Sequence, residues 1–390
     1  MQRVNVAIIG GGLVGASFAL ALAPLGLNVC LIEPFAPGDQ YQPSYDARST
    51  ALSYGTKCIY ERLGCWEAIA PCAQAIRDIS VTDQGRLGAA RMRAAEEGVP
   101  ALGYVVENAW LGHCLWQALA KTSVSTRCPE TVAALEPLTD GYRVRLANGE
   151  TLECDLAVLV DGGRSALREQ LGIYVKRTPY QQSALIANVS SVKPHQGVAY
   201  ERFTQNGPLA LLPLVENRSA LVWTNPPSVA QTLQQLDDQA FLQALTQAFG
   251  YRLGGFTKVG ERYLYPLELV EAREQVRAHL VVLGNAAHSL HPVAGQGYNL
   301  SLRDAIALAD TLAESPSELG SLSTLNRYLQ RQQQDQALTV GFSDKVTRLF
   351  STNQSLLSTG RNAGLLGLDL LPPAKAWLAR QAMGLATRRM

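Results

Sequence analysis

The chain has 390 residues, 47% of them hydrophobic, and a formal net charge of +1 at pH 7 with no long run of one sign. That length exceeds one ordinary hydrophobic core and favours two domains, which need not follow one another in series. Near-neutral charge argues against nucleic acid or a strongly charged macromolecule as partner and leaves small-molecule chemistry.

Residues 4–32 carry no charge, a length that would suit a membrane span or a signal sequence. Gly10, Gly11, Gly12 and Gly15 lie in its middle and Pro24 near its end, and no cleavage site precedes a plausible mature start. The stretch therefore reads as a buried strand over 4–9, a helix over 13–22 and a second strand over 28–32. Parallel strands joined by a crossover helix show this continuous hydrophobicity, because both their faces are covered.

Gly10-x-Gly12-x-x-Gly15 lies between that strand and that helix, and Glu33 ends the next strand. Such glycines let the backbone approach a pyrophosphate, the helix N-terminus supplies free N–H groups, and the carboxylate accepts from a ribose. A ribose 2′-hydroxyl suits Glu33 and a 2′-phosphate does not, so the site fits NAD or FAD rather than NADP. Arg48 follows; it is either a surface arginine or a guanidinium aimed at cofactor.

Cys58, Cys65 and Cys72 are spaced seven apart, which fits one face of a helix, and no Cys-x-x-Cys pair occurs among the seven cysteines. They read as reduced core residues. His288 and His291 are the one near-neighbour histidine pair, so no metal site is expected.

Residues 142–146 alternate, Asn148-Gly149 supplies a hairpin turn, and an apolar run over 155–160 ends at Asp161, returning the chain to the first sheet. Asp161-Gly162-x-x-Ser165-x-x-Arg168 follows; an acid at a strand end is in part structural, as a helix cap. Between 184 and 224 short strand-like runs are punctuated by Gly207-Pro208, Pro213 and Pro226-Pro227. They predict an antiparallel sheet in a separate substrate domain. Leu209, Leu211, Leu212, Leu221 and Val222 would line an apolar channel there or form ordinary sheet core, and Arg202 reads as support for the sheet. A buried strand over 281–283, a glycine-rich loop and a helix over 300–312 come next, and the C-terminal quarter reads as mostly helical.

Asp161 to Arg168, Gly284-Asn285-Ala286-Ala287-His288 and Pro292-x-x-Gly295-Gln296-Gly297-x-Asn299, in this order, resemble the p-hydroxybenzoate-hydroxylase-type flavoprotein monooxygenases over nearly the whole chain. The segments 46–52 and 284–300 are similar to the ubiquinone-biosynthesis hydroxylases in particular. Within that family, 200–210 and 248–254 resemble the members that act on a polyprenylated methoxyphenol.

The resemblance implies an α/β fold: a Rossmann-like FAD-binding domain (1–178, with room for substrate-domain excursions, and 276–350) interleaved with an antiparallel-sheet substrate domain (179–275), then a helical segment over 351–390. It implies FAD held by Glu33, by the Asp161-Gly162 segment, by Gly284-Asn285 at the ribityl chain and pyrophosphate, and by Pro292, Gly295, Gln296, Gly297 and Asn299 past the flavin ring. NAD(P)H would be a transient electron donor, molecular oxygen and a polyprenylated phenol the substrates, and a flavin C4a-hydroperoxide the oxygen carrier. Asn285 stands where the family carries Asp; its carbonyl oxygen still accepts. His288 reads as a satisfied loop histidine, and His291, beside the expected ring edge, as either that or a catalytic group. No residue announces itself as the base for the phenol. Residues 372–390 form an amphipathic, basic stretch that either touches a membrane or assembly partner or packs on its own domain.

Overall fold

The computed structural model describes residues 2–36, 48–85, 89–291 and 295–350, with 376–377, 379–381 and 383–385 near the C-terminus. Asp46, Ala47, Pro292 and most of 351–390, named above, lie outside them.

Strand Gln2–Ile9 pairs in parallel with Val29–Ile32 on one side and with Thr151–Leu159 on the other, and Thr151–Leu159 pairs in parallel with Leu280–Val282. Ser125–Arg127 extends the sheet beyond Val29–Ile32. The hairpin foreseen at Asn148-Gly149 joins Gly141–Leu146 to Thr151–Leu159, with Gly149 at φ +88°. Helix Leu13–Leu22 crosses between the first two strands. It is apolar on all sides because helices Asn108–Leu119 and Gln296–Ala313 pack against it and leave no side for water.

A second sheet of nine strands runs in the order His288–Ser289, Tyr263–Ala272, Val175–Ser191, Arg218–Asn225, Pro208–Pro213, Val198–Phe203, Asp78–Asp83 and Ala89–Arg93, with Phe256–Val259 also on Val175–Ser191. Its pairs are antiparallel except Val198–Phe203 with Asp78–Asp83, which is parallel. Leu185, Leu209, Leu211, Leu221 and Trp223 point from one face into helices Pro227–Gln235 and Asp238–Phe249. A third sheet, Ser49–Ser53, Gly103–Glu107 and Gln74–Ile76, packs through Val105 and Ile76 on Ala199, Leu214 and Ala220 of the second sheet's region. The chain thus leaves the first sheet twice, over 49–107 and over 175–272, and returns each time.

Two local readings change. Cys58 lies in helix Tyr54–Arg62, Cys65 caps the short helix Trp66–Ile69, and Cys72 ends the turn Ala70–Cys72, so the three do not share a helix face. Gly64, at φ +69°, breaks the helix between the first two. All seven cysteines are free. The helix expected over 300–312 begins earlier, at Gln296, with Gly295 as its N-cap at φ +60°.

Phe241 is fully buried, with Trp223 edge-on at 6.0 Å and the Arg262 guanidinium 5.1 Å above its ring. Phe241→Ala is expected to cost about 3–5 kcal/mol of stability in chemical denaturation. A change near zero would show that these helices do not seal the sheet.

Candidate functional site

Three glycine-bearing turns meet at the start of helix Leu13–Leu22. In the first, Gly10 has φ +114°, and a Cβ there would lie 2.6 Å from the Val160 carbonyl oxygen; a Cβ on Gly15 would lie 1.9 Å from the Gly10 oxygen. Only glycine fits. The helix has Gly12 as N-cap and no side-chain cap, so its first N–H groups remain for a ligand. The Trp116 indole donates to the Gly11 carbonyl at 3.1 Å and buttresses the turn, a contact between residues too far apart in sequence to leave a local signal.

Glu33 is buried and accepts from the Gly11 N–H (2.5 Å) and the Phe35 N–H (3.2 Å). Burial pushes its carboxyl above the usual range, and the two N–H groups oppose the rise. Two carboxylate oxygens offer about four acceptor positions, so room remains for ribose hydroxyls.

In the second turn the cap of helix Ala166–Gln170 is Ser165, whose hydroxyl accepts from the Arg168 N–H (3.0 Å) and donates to Asp161 Oδ2 (2.8 Å). Asp161 Oδ1 is buried with no partner among the described residues, and burial raises the carboxyl. Arg168 is wholly buried. Its guanidinium donates to the carbonyls of Ala286 (2.7 Å) and Gly163 (3.4 Å), tying the second turn to the third. The third turn, Gly284-Asn285, touches the first helix: a Cβ on Gly284 would sit 3.7 Å from Val14.

Asn299 anchors the next segment. Its Oδ1 accepts from the Ser53 N–H (2.8 Å) and the Thr56 hydroxyl (2.6 Å), and its Nδ2 donates to the carbonyls of Ala51 (2.8 Å) and Gly295 (2.6 Å). With its amide so engaged, Asn299 holds the 295–299 turn against strand Ser49–Ser53 rather than reaching outward. Tyr298 and Tyr60 are hydrogen-bonded through their hydroxyls beside it, and Gln296 is buried.

His288 Nε2 bonds Asp304 (2.7 Å) and both residues are buried, while His288 Nδ1 is buried with no partner among the described residues, so the loop histidine is only half satisfied. His291 packs edge-on against Tyr180 at 5.2 Å, and burial lowers it to about 4, leaving a neutral and weakly basic ring at pH 7. Arg48 directly precedes the strand Ser49–Ser53 that Asn299 grips and lies 5.3 Å above the Tyr265 ring, so it links that strand to the second sheet.

That sheet has two faces, since side chains alternate along a strand. Of the five candidate channel residues, Leu209, Leu211 and Leu221 belong to the face under the helices, as ordinary core. Leu212 and Val222 point the other way, and Leu212 packs there with Ile76, Val105, Ala199, Leu214 and Ala220. Arg202 lies with Tyr200 on the helix face, and Arg252 stacks 5.7 Å from the Tyr200 ring. The opposite face also holds a residue not foreseen as functional, Glu201. Its one signal was a glutamate inside an otherwise strand-like run. Among the described residues no group of His, Cys, Asp and Glu could hold a metal ion.

A family model described as FAD binding domain matches residues 3–342. The chain is 34% identical to ubiquinone hydroxylase UbiL of Rhodospirillum rubrum, over 97% of this chain and 89% of that one. It is 33% identical to 3-demethoxyubiquinol 3-hydroxylase of Escherichia coli, over 98% and 99%. Human mitochondrial ubiquinone biosynthesis monooxygenase COQ6 is 29% identical, over 95% and 90%. In fold it matches p-nitrophenol 4-monooxygenase PnpA of Pseudomonas putida at a TM-score of 0.82 over the full length of both, with 19% identity. PqsL of P. aeruginosa matches at 0.79, over 94% and 100%, with 20% identity. The glycine turns with no space for a side chain, the uncapped helix and the unpartnered Asp161 oxygen fit a dinucleotide of this kind.

Glu33→Ala is expected to weaken FAD retention about ten- to hundredfold, the result of losing about 1.5–3 kcal/mol of charged-group hydrogen bonding. Titrating apoprotein with FAD by flavin fluorescence measures it, and wild-type affinity in the variant would remove Glu33 from the ribose site.

Proposed function

We propose that this chain, which belongs to the FAD binding domain family and within it to the ubiquinone-biosynthesis ring hydroxylases, acts on 2-polyprenyl-6-methoxyphenol. It would insert one oxygen atom para to the hydroxyl and give the 1,4-benzoquinol. The balance is phenol, O2, NAD(P)H and a proton in; benzoquinol, NAD(P)+ and water out. What supports the choice of substrate is the resemblance of 200–210 and 248–254 to the methoxyphenol-acting members; in the fold these segments pack together, with the Tyr200 and Phe249 rings 5.4 Å apart. The 33% identity to a 3-hydroxylase favours a second reading, oxidation at another ring carbon.

Bound FAD supplies the redox chemistry, passing reducing equivalents to oxygen and one oxygen atom to the ring. The protein's part is to bind, orient and exclude water. Gly10, Gly12 and Gly15 with the helix N–H groups would hold the pyrophosphate, Glu33 the ribose, and Asp161, Gly162, Gly284 and Asn285 the remainder of the chain toward the ring. Gly295, Gln296 and Gly297 would pass the flavin ring, fixed there by Asn299. Arg48 on Tyr265 sets a cation where the cofactor loops face the substrate sheet. A phenol para carbon is electron-rich, and more so as the hydroxyl ionises, so electronics favour the para product.

The reaction is tested with a short-chain prenylated methoxyphenol under labelled oxygen. One labelled atom in a 1,4-benzoquinol is expected; a product hydroxylated at another carbon would transfer the chain to the second reading, and flavin-dependent NAD(P)H oxidation without hydroxylation would remove both.

A polyprenyl tail calls for access from lipid, and no described helix is long and apolar enough to cross a membrane. Ala379, Met383 and Leu385 are buried against Met92, Ala94 and Leu102, which ties this part of the C-terminal stretch to its own chain. Trp377, 57% exposed, and Arg380 remain outward and would meet an anionic lipid surface. Truncation would strip the buried contacts too, so the paired changes Trp377→Ala and Arg380→Ala are the cleaner probe. Severalfold weaker co-sedimentation with anionic liposomes is expected, and unchanged binding would exclude this contact.

A further inference from the structure

The face of the substrate sheet turned away from its helices carries a carboxylate with no partner among the described residues. Glu201 lies in mid-strand Val198–Phe203. Its neighbour Tyr200 packs on Phe249 under the helices, so alternation turns Glu201 to the opposite face. Val81 and Ala210 flank it on the adjoining strands, Val222 follows Ala210, and Ile186 follows Val222. One row along, Tyr265 shares this face through its pairing with Ala184 and carries Arg48 on its ring. The residues flanking Glu201 on this face are therefore apolar, and the same face meets Arg48 at Tyr265, four strands across the sheet. Burial is the one influence on its ionisation, with no cation and no hydrogen bond from the described residues. It is half-buried, in mid-strand, with protein packed around it.

We propose that Glu201 receives the ring hydroxyl of the phenol substrate and takes its proton during oxygen transfer, a role that rests on the phenol substrate proposed above. The phenolic O–H bond breaks and an O–H bond forms on a Glu201 carboxylate oxygen. The electron pair left on the phenolate conjugates to the para carbon, where the new C–O bond forms to one oxygen atom of O2 as the O–O bond breaks; the other oxygen leaves as water, reduced by the two electrons that NAD(P)H supplies. As the resulting dienone becomes aromatic again, its para C–H proton leaves to water and Glu201 returns its proton to the ring oxygen.

Burial brings Glu201 up to about 7, much closer to a phenol near 10 than an ordinary carboxylate is. His291, at about 4, is the poorer acceptor. The sign follows: below about pH 7 Glu201 is protonated and cannot accept, so turnover rises as pH passes through 7. The same raised value means that ionising Glu201 destabilises the folded state, by an amount that grows as pH rises from the unfolded carboxyl value toward 7.

The test uses FAD-loaded wild type, Glu201→Gln and Glu201→Asp, with 2-methoxy-6-prenylphenol as probe. Glu201→Gln is expected to keep the wild-type flavin spectrum, lose about 10²–10⁴-fold in kcat for hydroxylation, and lose the acid limb near pH 7. Glu201→Asp is expected to retain that limb at an intermediate rate. The unfolding temperature of Glu201→Gln should exceed that of wild type more at pH 8 than at pH 5, a check that the buried carboxylate ionises as described. Wild type that hydroxylates the probe, beside a Glu201→Gln variant with unchanged kcat and acid limb, overturns this proposal alone. Wild type that turns over no phenol overturns the substrate reading and this proposal with it.

Discussion

The close approach of two backbones at the first helix governs the rest of the molecule. A side chain on Gly15 would run into the Gly10 carbonyl and one on Gly10 into Val160, so the helix start is pressed onto the ends of the first and third parallel strands. Parallel strands finish on one side of their sheet, and the loops leaving Ile9, Leu159 and Val282 gather there. Arg168 then fixes the second loop to the third through backbone carbonyls, which serves as well in a dry interior as a salt bridge and leaves Asp161 free of direct pairing. A buried guanidinium with two carbonyl acceptors is costly to form, and losing it would leave Ala286 O without its donor.

The second constraint is period two in the substrate sheet. Helices Pro227–Gln235 and Asp238–Phe249 cover one face with aromatic and aliphatic bulk. What alternation leaves on the other face is smaller and more polar: Ala210, Glu201, Thr224, Ala184 and Tyr265. One strand register therefore sets both the helix-covered core and the face on which the third sheet and Arg48 pack, and a slip by one residue would exchange them. Arg48 over Tyr265 and Val105 against Ala220 hold that face in place relative to the first helix.

Features that depend on near neighbours were legible in the sequence. The glycine turn, Glu33, the Asn148-Gly149 hairpin and the parallel strands around them all state their geometry within a few dozen residues. Strands Asp78–Asp83 and Ala89–Arg93 were not legible as part of the substrate sheet, because their partner starts at Val198 and distant pairing leaves no local trace. Alternation separates Leu209 and Leu211 from Leu212, but which set faces the helices depends on where the helices dock. Cys58, Cys65 and Cys72 matched a helical spacing that Gly64 interrupts. Asn299 was marked as a site residue from its motif, and its four internal hydrogen bonds show a residue that shapes the loop.

Donors and acceptors around the first helix are sorted along the space a dinucleotide would cross. The uncapped helix start offers N–H donors, which suit phosphate oxygens, since these bring acceptors and charge. Glu33 and Asp161 offer acceptors. Glu33 already has two N–H donors, so a ribose hydroxyl adds to an arrangement that stands without it. Asp161 differs, because Oδ1 has no donor among the described residues and an ionised phosphate could not provide one. A hydroxyl can. Its orphan oxygen is therefore matched to the sugar-alcohol portions of a flavin dinucleotide and mismatched to the pyrophosphate between them, while the Ser165 hydroxyl on Oδ2 keeps the carboxyl oriented. Placed so, Asp161 would exchange an unsatisfied buried oxygen for a hydrogen bond to a sugar-alcohol hydroxyl, and ligand binding would complete the hydrogen bonding of this turn.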